Sequence, residues 1–199
     1  MPEAKIEHAP HLGDNFKKGI DGQKVAIMGY SHWGDDDRND FTTDCIKKVS
    51  TSDWPHLGFF NQIVAYFCKD HDELWNRVMF LNFLPRFIGN DDQRYAWGSE
   101  ADTKDARERT KRLLDEHKPD MLFVFSRKAW KHLPPTLEDD REESGQLVLA
   151  GQQFDRHHYR TSDGHIVQAF GLRHPQYANK QTMTDAVTAA LKMRPNPPA

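Results

Sequence analysis

The stretch Val25-Ala26-Ile27-Met28-Gly29-Tyr30-Ser31-His32-Trp33-Gly34 decides how the rest of the chain is read. Four apolar residues run unbroken into a glycine, and side chains able to bond or move protons follow at once. A short continuous apolar run predicts a strand covered on both faces, as at the centre of a parallel sheet. Gly29 lets the backbone turn sharply and lets a ligand come close to it. In open α/β sheets ligands lie beyond the carboxyl ends of the strands, where Tyr30, Ser31 and His32 fall.

Working outward, three more runs read as strands: Arg77–Leu84, interrupted by Asn82, then Asp120–Phe125 and His165–Leu172. Leu57–Lys69 carries apolar residues at Leu57, Phe60, Ile63, Val64 and Phe67, the spacing of an amphipathic helix. A shorter helical stretch lies near Thr43–Val49. Ser99 and Asp102 have capping-box spacing for a helix reaching about His117, with Ala106, Thr110, Leu113 and Leu114 inward. The strand at Asp120–Phe125 runs into a helix through Ala129, and a last helix covers about Asn179–Lys192. Leu147–Ala150 and Gln153–Arg160 suit a small antiparallel addition, and Ser162-Asp163-Gly164 is a turn signal. Strands alternating with helices predict a three-layer α/β/α sandwich around a four-stranded, mainly parallel sheet. One domain is expected over residues 1–199, with residues 1–20 a polar arm and 193–199 a flexible tail.

Bulk properties narrow the class. With 199 residues and 37% apolar content the chain can fill one full core. No apolar run reaches membrane-spanning length, and residues 1–13 lack the apolar centre of a signal peptide. Cys45 and Cys68 are too few for a disulfide scaffold or a thiolate-held cluster, so a reduced, cytoplasmic setting is expected. A monomer is expected as well. The net charge of −3 gives no overall pull towards nucleic acid, so any DNA contact needs a local basic face.

Three places put polar chemistry at the expected carboxyl edge of the sheet: Gly29–Gly34, Asn82, and Arg173-His174-Pro175-Gln176-Tyr177. Singly, an Asn in a strand satisfies a loop carbonyl and a His before a Pro ends a strand. Together they favour a built site. In order and context they resemble the uracil-DNA glycosylase superfamily across about Lys24 to Gln181. GYSHWG stands where the best-known family has GQDPYH. Phe59-Phe60-Asn61-Gln62-Ile63 resembles its SLxNI segment, and Met79-Phe80-Leu81-Asn82-Phe83 its LLLNT strand. Leu122 to Ala129 supplies an apolar strand running into a helix, and His174-Pro175-Gln176 resembles its HPS motif.

The resemblance implies an enzyme that flips uracil out of DNA, hydrolyses its N-glycosidic bond and leaves an abasic site for base-excision repair. Asn82 would read the base, its amide matching O4 and N3–H of uracil and mismatching cytosine. His174, neutral, would donate to the base oxygen as the base leaves as an anion. No metal or diffusible cofactor is required, and uracil-containing DNA is the partner. Gly29 and Tyr30 would line the pocket and Phe41 would stack on the base, although core filling explains Phe41 equally well. Arg173, Gln176, Tyr177, Arg127 and Lys128 would contact DNA, with Lys131 beside them and Gln176 or Tyr177 as a wedge. Arg107, Arg109, Lys111 and Arg112 read instead as the wet face of their helix. Arg156, His157, His158 and Arg160 suit either a phosphate track or a surface hairpin. A metal at His157, His158 and His165 has no thiolate to support it.

The first motif departs from the family pattern. Ser31 stands where several families place an Asp or Asn that handles water, and the following Pro is absent. Ser31 and His32 are the first candidates for that role, with Asp35, Asp36 and Asp37 reaching back as substitutes. Two rival classes follow. An SGNH-like serine esterase would use Ser31, Gly89-Asn90-Asp91 and His174, but Tyr30 replaces its Asp and Gly171 stands three before His174. A catalytically silent nucleic-acid or base-binding module needs no acid at all.

Overall fold

Along each central strand the side chains alternate between two apolar layers, which is why these runs show no polar break. The computed structural model describes residues 6–51, 57–90, 92, 96–134, 145–149 and 151–193. Strands β1 (His11–Leu12), β2 (Val25–Gly29), β3 (Val78–Asn82), β4 (Met121–Val124), β5 (Gly145–Leu149), β6 (Gln152–Arg160) and β7 (Ile166–Gly171) form one sheet, in the order β1-β3-β2-β4-β7-β6-β5. The pairs β3–β2, β2–β4 and β4–β7 are parallel, whereas β1 on β3 and the β7-β6-β5 run are antiparallel. The α/β class expected from sequence is therefore observed. Among the described residues, the four-stranded sheet is corrected to a mixed sheet of seven strands.

Helices cover both faces. Val25, Ile27, Val78, Phe80, Met121, Phe123 and Phe170 point into one layer. They meet residues of α1 (Phe41–Ser50), α2 (Leu57–Tyr66), α3 (His71–Trp75) and α6 (Lys180–Leu191) there. Ala26, Met28, Met79, Leu81, Leu122 and Val124 point the other way, against α4 (Glu100–His117) and α5 (Arg127–His132). Burying each such side chain contributes about 1.5–3 kcal/mol, enough to override weak local propensity. Ser99 and Asp102 close the expected capping box on α4, and Asn179 caps α6.

The polar arm is corrected over residues 6–20. Phe16 and Ile20 are buried, β1 adds an edge strand to β3, and the His8 amide donates to the Pro85 carbonyl at 2.6 Å. Ile6, Ala9, Leu12, Phe16 and Ile20 recur every three or four residues, but Pro10, Gly13 and Gly19 interrupt any helix, so the local pattern does not predict the edge strand that forms. Residues 1–5, the tail 194–199 and Asp91 lie outside the described residues. β6 is an inner strand of the sheet rather than a free hairpin, with His158 and Tyr159 buried.

Candidate active site

β2 and β3 end side by side, Gly29 opposite Asn82, and the backbone ladder continues beyond them: Phe83 N–H donates to Gly29 O at 3.1 Å and Leu84 N–H to Tyr30 O at 2.8 Å. Alternation sends the Asn82 side chain to the α2 face, where it crosses over Gly29. A Cβ on Gly29 would lie 2.2 Å from Asn82 Oδ1 and 3.7 Å from the Phe59 ring. Glycine is required here by contact rather than by backbone angle. Asn82 is 5% exposed, and among the described residues no group bonds to its carboxamide. An amide without an internal partner at the surface of a site is open to be completed by water or a ligand.

Phe59 carries the site on to His174, whose ring lies 5.3 Å away, centroid to centroid. Two helical turns along α2 from Phe59, Tyr66 places its hydroxyl 3.0 Å from Gln62 Oε1 and 3.3 Å from Pro175 O. One helix thus fixes both the aromatic wall and the His-Pro segment. His174 Nδ1 accepts from the Gln176 amide at 3.3 Å, which assigns the proton of the neutral ring to Nε2. Burial holds the His174 pKa below the ordinary histidine value, so the ring is neutral at pH 7. A carboxamide, an aromatic face and a neutral N–H donor converge at the carboxyl edge of the sheet. Beside them, Arg173, Gln176 and Tyr177 are exposed, and the Tyr177 ring lies 5.9 Å from His174.

Behind Asn82, α4 supplies a residue that the sequence reading misplaced. Arg109 is 3% exposed; it donates to Asn82 O at 3.0 Å and to His8 O, and burial lowers its pKa to about 10. It is no part of a wet face. A cleft of about 380 Å³ between Glu7, Pro85, Asp105, Glu108 and Arg112 reaches Arg109 from outside, away from the Asn82 amide. Phe59 was missed as well, because an aromatic on an amphipathic helix reads as core. Its place as the first residue of the segment that resembles SLxNI was the signal available.

Other candidates are placed elsewhere. His32 is turned inward, with Nε2 3.1 Å from Thr42 Oγ1 and rings of His8 and Phe41 at 5.5 and 5.0 Å. Burial pushes its pKa down to about 3, and at 7% exposure it is not presented to an attacking water. Phe41 packs edge-on to Phe87 at 4.6 Å and beside His8, the core-filling arrangement. Asp37 is committed to His8 Nε2 at 2.6 Å and to the Phe87 amide. Asp36 pairs with Arg38, and Asp35 is exposed. Ser31 is half-buried beside Gly29 and Tyr30 and makes no hydrogen bond to His174 among the described residues.

Tyr30 takes the opposite face of the sheet from Asn82, packing with the α4–α5 layer. Its hydroxyl accepts from the Gly98 amide at 3.1 Å, and Lys128 Nζ stands 5.2 Å from its ring centroid. Arg127 is exposed at the start of α5. His157, His158 and His165 do not converge: the His157 ring packs tilted against Trp130 at 4.4 Å, and His165 Nε2 lies 3.0 Å from Pro119 O. Among the described residues no group of three or more His, Cys, Asp or Glu side chains is placed to hold a metal, and no helix is long and apolar enough to cross a membrane. Compared with known proteins, the chain matches no family model and no curated sequence.

Proposed function

We infer that this chain is a DNA glycosylase of the uracil-DNA glycosylase type. The single observation that carries the reading is the open Asn82 carboxamide, seated over Gly29 and flanked by Phe59 and neutral His174. A planar base entering between them would stack on Phe59 and offer its Watson–Crick edge to Asn82. Uracil presents an acceptor at O4 and a donor at N3, the complement of the amide in one of its two orientations. As the C1′–N1 bond breaks, its electron pair passes to the base, and Nε2–H of His174 stabilises the charge on the base oxygen. Water then adds to C1′ and gives up a proton, leaving an abasic site and free uracil. Ser31, half-buried two residues beyond Gly29, is the candidate for handling that water.

A silent base-binding module is the second reading, and one observation favours it. Among the described residues Asp37 is tied to His8, and no carboxylate is bonded to Ser31, Asn82 or His174.

The test is excision from a labelled oligonucleotide bearing one uracil, with EDTA present, followed by alkali to cut any abasic site. Strand cleavage at the uracil alone supports the glycosylase. Binding of the oligonucleotide without base release, on single or double strands and with other deaminated bases, supports the module and overturns the enzyme.

A further inference from the structure

Trp97 stands 57% exposed in the loop before α4, although a large aromatic loses water-excluding contact by standing out. It is held there. Gly98 donates its amide to the Tyr30 hydroxyl, and a Cβ on Gly98 would lie 3.0 Å from Leu84 Cδ1. Ser99 then opens the capping box of α4, so the two residues that follow Trp97 are fixed. Around the indole, Lys128 Nζ lies 4.2 Å from the ring centroid, and the rings of Tyr30 and His132 lie 6.2 Å away.

The charge around it is set for an anion. α5 offers exposed Arg127 and Lys131 beside Lys128. In the first two turns of α4, Asp102 and Asp105 are both engaged by Arg86, and Glu100 is exposed. Tyr30 adjoins Gly29 in the chain, so this ring pair begins one residue from the floor of the Asn82 site, across the sheet edge from it.

We propose that Trp97 with Lys128 is a stacking step for an unpaired base of the DNA strand whose neighbouring nucleotide enters the Asn82 site, and that the protein therefore prefers single-stranded DNA. The proposal rests on the glycosylase-type reading of that site. Bases in an intact duplex have both faces covered, whereas an unpaired base can lie on an exposed indole, with a lysine beside it to neutralise phosphate.

The test uses the full chain and a uracil-free, fluorescein-labelled thymidine oligonucleotide, read by anisotropy, with a duplex of mixed sequence as control. Trp97→Ala should weaken single-strand binding about ten-fold, Trp97→Phe should keep most of it, and duplex binding should be nearly unmoved. Lys128→Gln should flatten the salt dependence by about one counterion. The proposal is overturned if wild-type protein does not favour the single strand, or if Trp97→Ala leaves binding intact or weakens both substrates equally. Uracil excision is measured in parallel. Trp97-dependent binding without excision sinks the catalytic reading alone; excision with Trp97-independent binding sinks the stacking step alone.

Discussion

The Asn82 carboxamide fills the space that a side chain on Gly29 would need, with Oδ1 2.2 Å from the position of a Gly29 Cβ. Two strands and one missing methyl group thus fix where a base edge would be read. Gly29→Ala should displace the amide and lower uracil excision about 100-fold, while an Asn82→Ala background should show little further loss on adding Gly29→Ala. A double-mutant cycle measures this directly. Additive losses would mean that Gly29 and Asn82 act separately and that the contact is not what places the amide.

His174 is asked to act only as the base departs, so His174→Ala should slow excision about 100-fold or more and change DNA affinity little. Single-turnover rates and binding, measured together, separate the two. The pH profile follows from the same ring. Burial lowers its pKa below the usual 6.5, so the neutral donor persists on moving from pH 8 through pH 6.5 and is lost only at lower pH. Rates that already fall above pH 6.5 in the wild type and stay flat in His174→Ala would contradict this assignment.

What could be read from the chain was whatever depends on local pattern. The runs around Ile27, Phe80, Phe123 and Phe170 are continuous because both faces of those strands are covered, and the Ser99–Asp102 pair announces the start of α4. Asn82 and His174 drew notice only together with Gly29–Gly34, since each alone has an ordinary structural explanation at the end of an apolar strand. Phe59 did not stand out, because core and pocket aromatics look identical in a helical stripe. Arg109 follows Ala106 by three residues, at the margin of the apolar stripe, and only the carbonyls of Asn82 and His8 explain why a guanidinium lies there. His32 turned inward because His8, Phe41 and Phe87, from three separate segments, build an aromatic box that no single window contains.

Arg109 makes a different prediction from the pocket residues. Removing its guanidinium leaves two buried carbonyls without donors, each costing about 1–3 kcal/mol. Arg109→Met should lower stability by about 2–5 kcal/mol in a urea titration, and Arg109→Lys by less. Well below the melting temperature, folded Arg109→Met should excise more slowly than wild type, because the Asn82 backbone has lost its clamp. A variant of unchanged stability would show that the carbonyls find other partners and that Arg109 does not hold the end of β3.

The last prediction concerns acid stability. His32 has a folded-state pKa of about 3 against 6.5 unfolded, with burial the largest cause. Between those values the unfolded chain binds the extra proton, so stability is full above pH 6.5 and falls with decreasing pH. One group contributes a slope of at most about 1.4 kcal/mol per pH unit there. His8 and His174, whose pKa values are also lowered by burial, add in the same direction. His32→Phe keeps an aromatic ring among His8, Phe41 and Phe87 but cannot be protonated, so its stability should fall less steeply from pH 6.5 to pH 4.5. Urea midpoints for both proteins across that range read the slope, whatever the substitution costs at pH 7. Parallel slopes would mean that His32 reaches a proton in the folded state and is not sealed in the box, and it would return as a candidate for handling water beside Ser31.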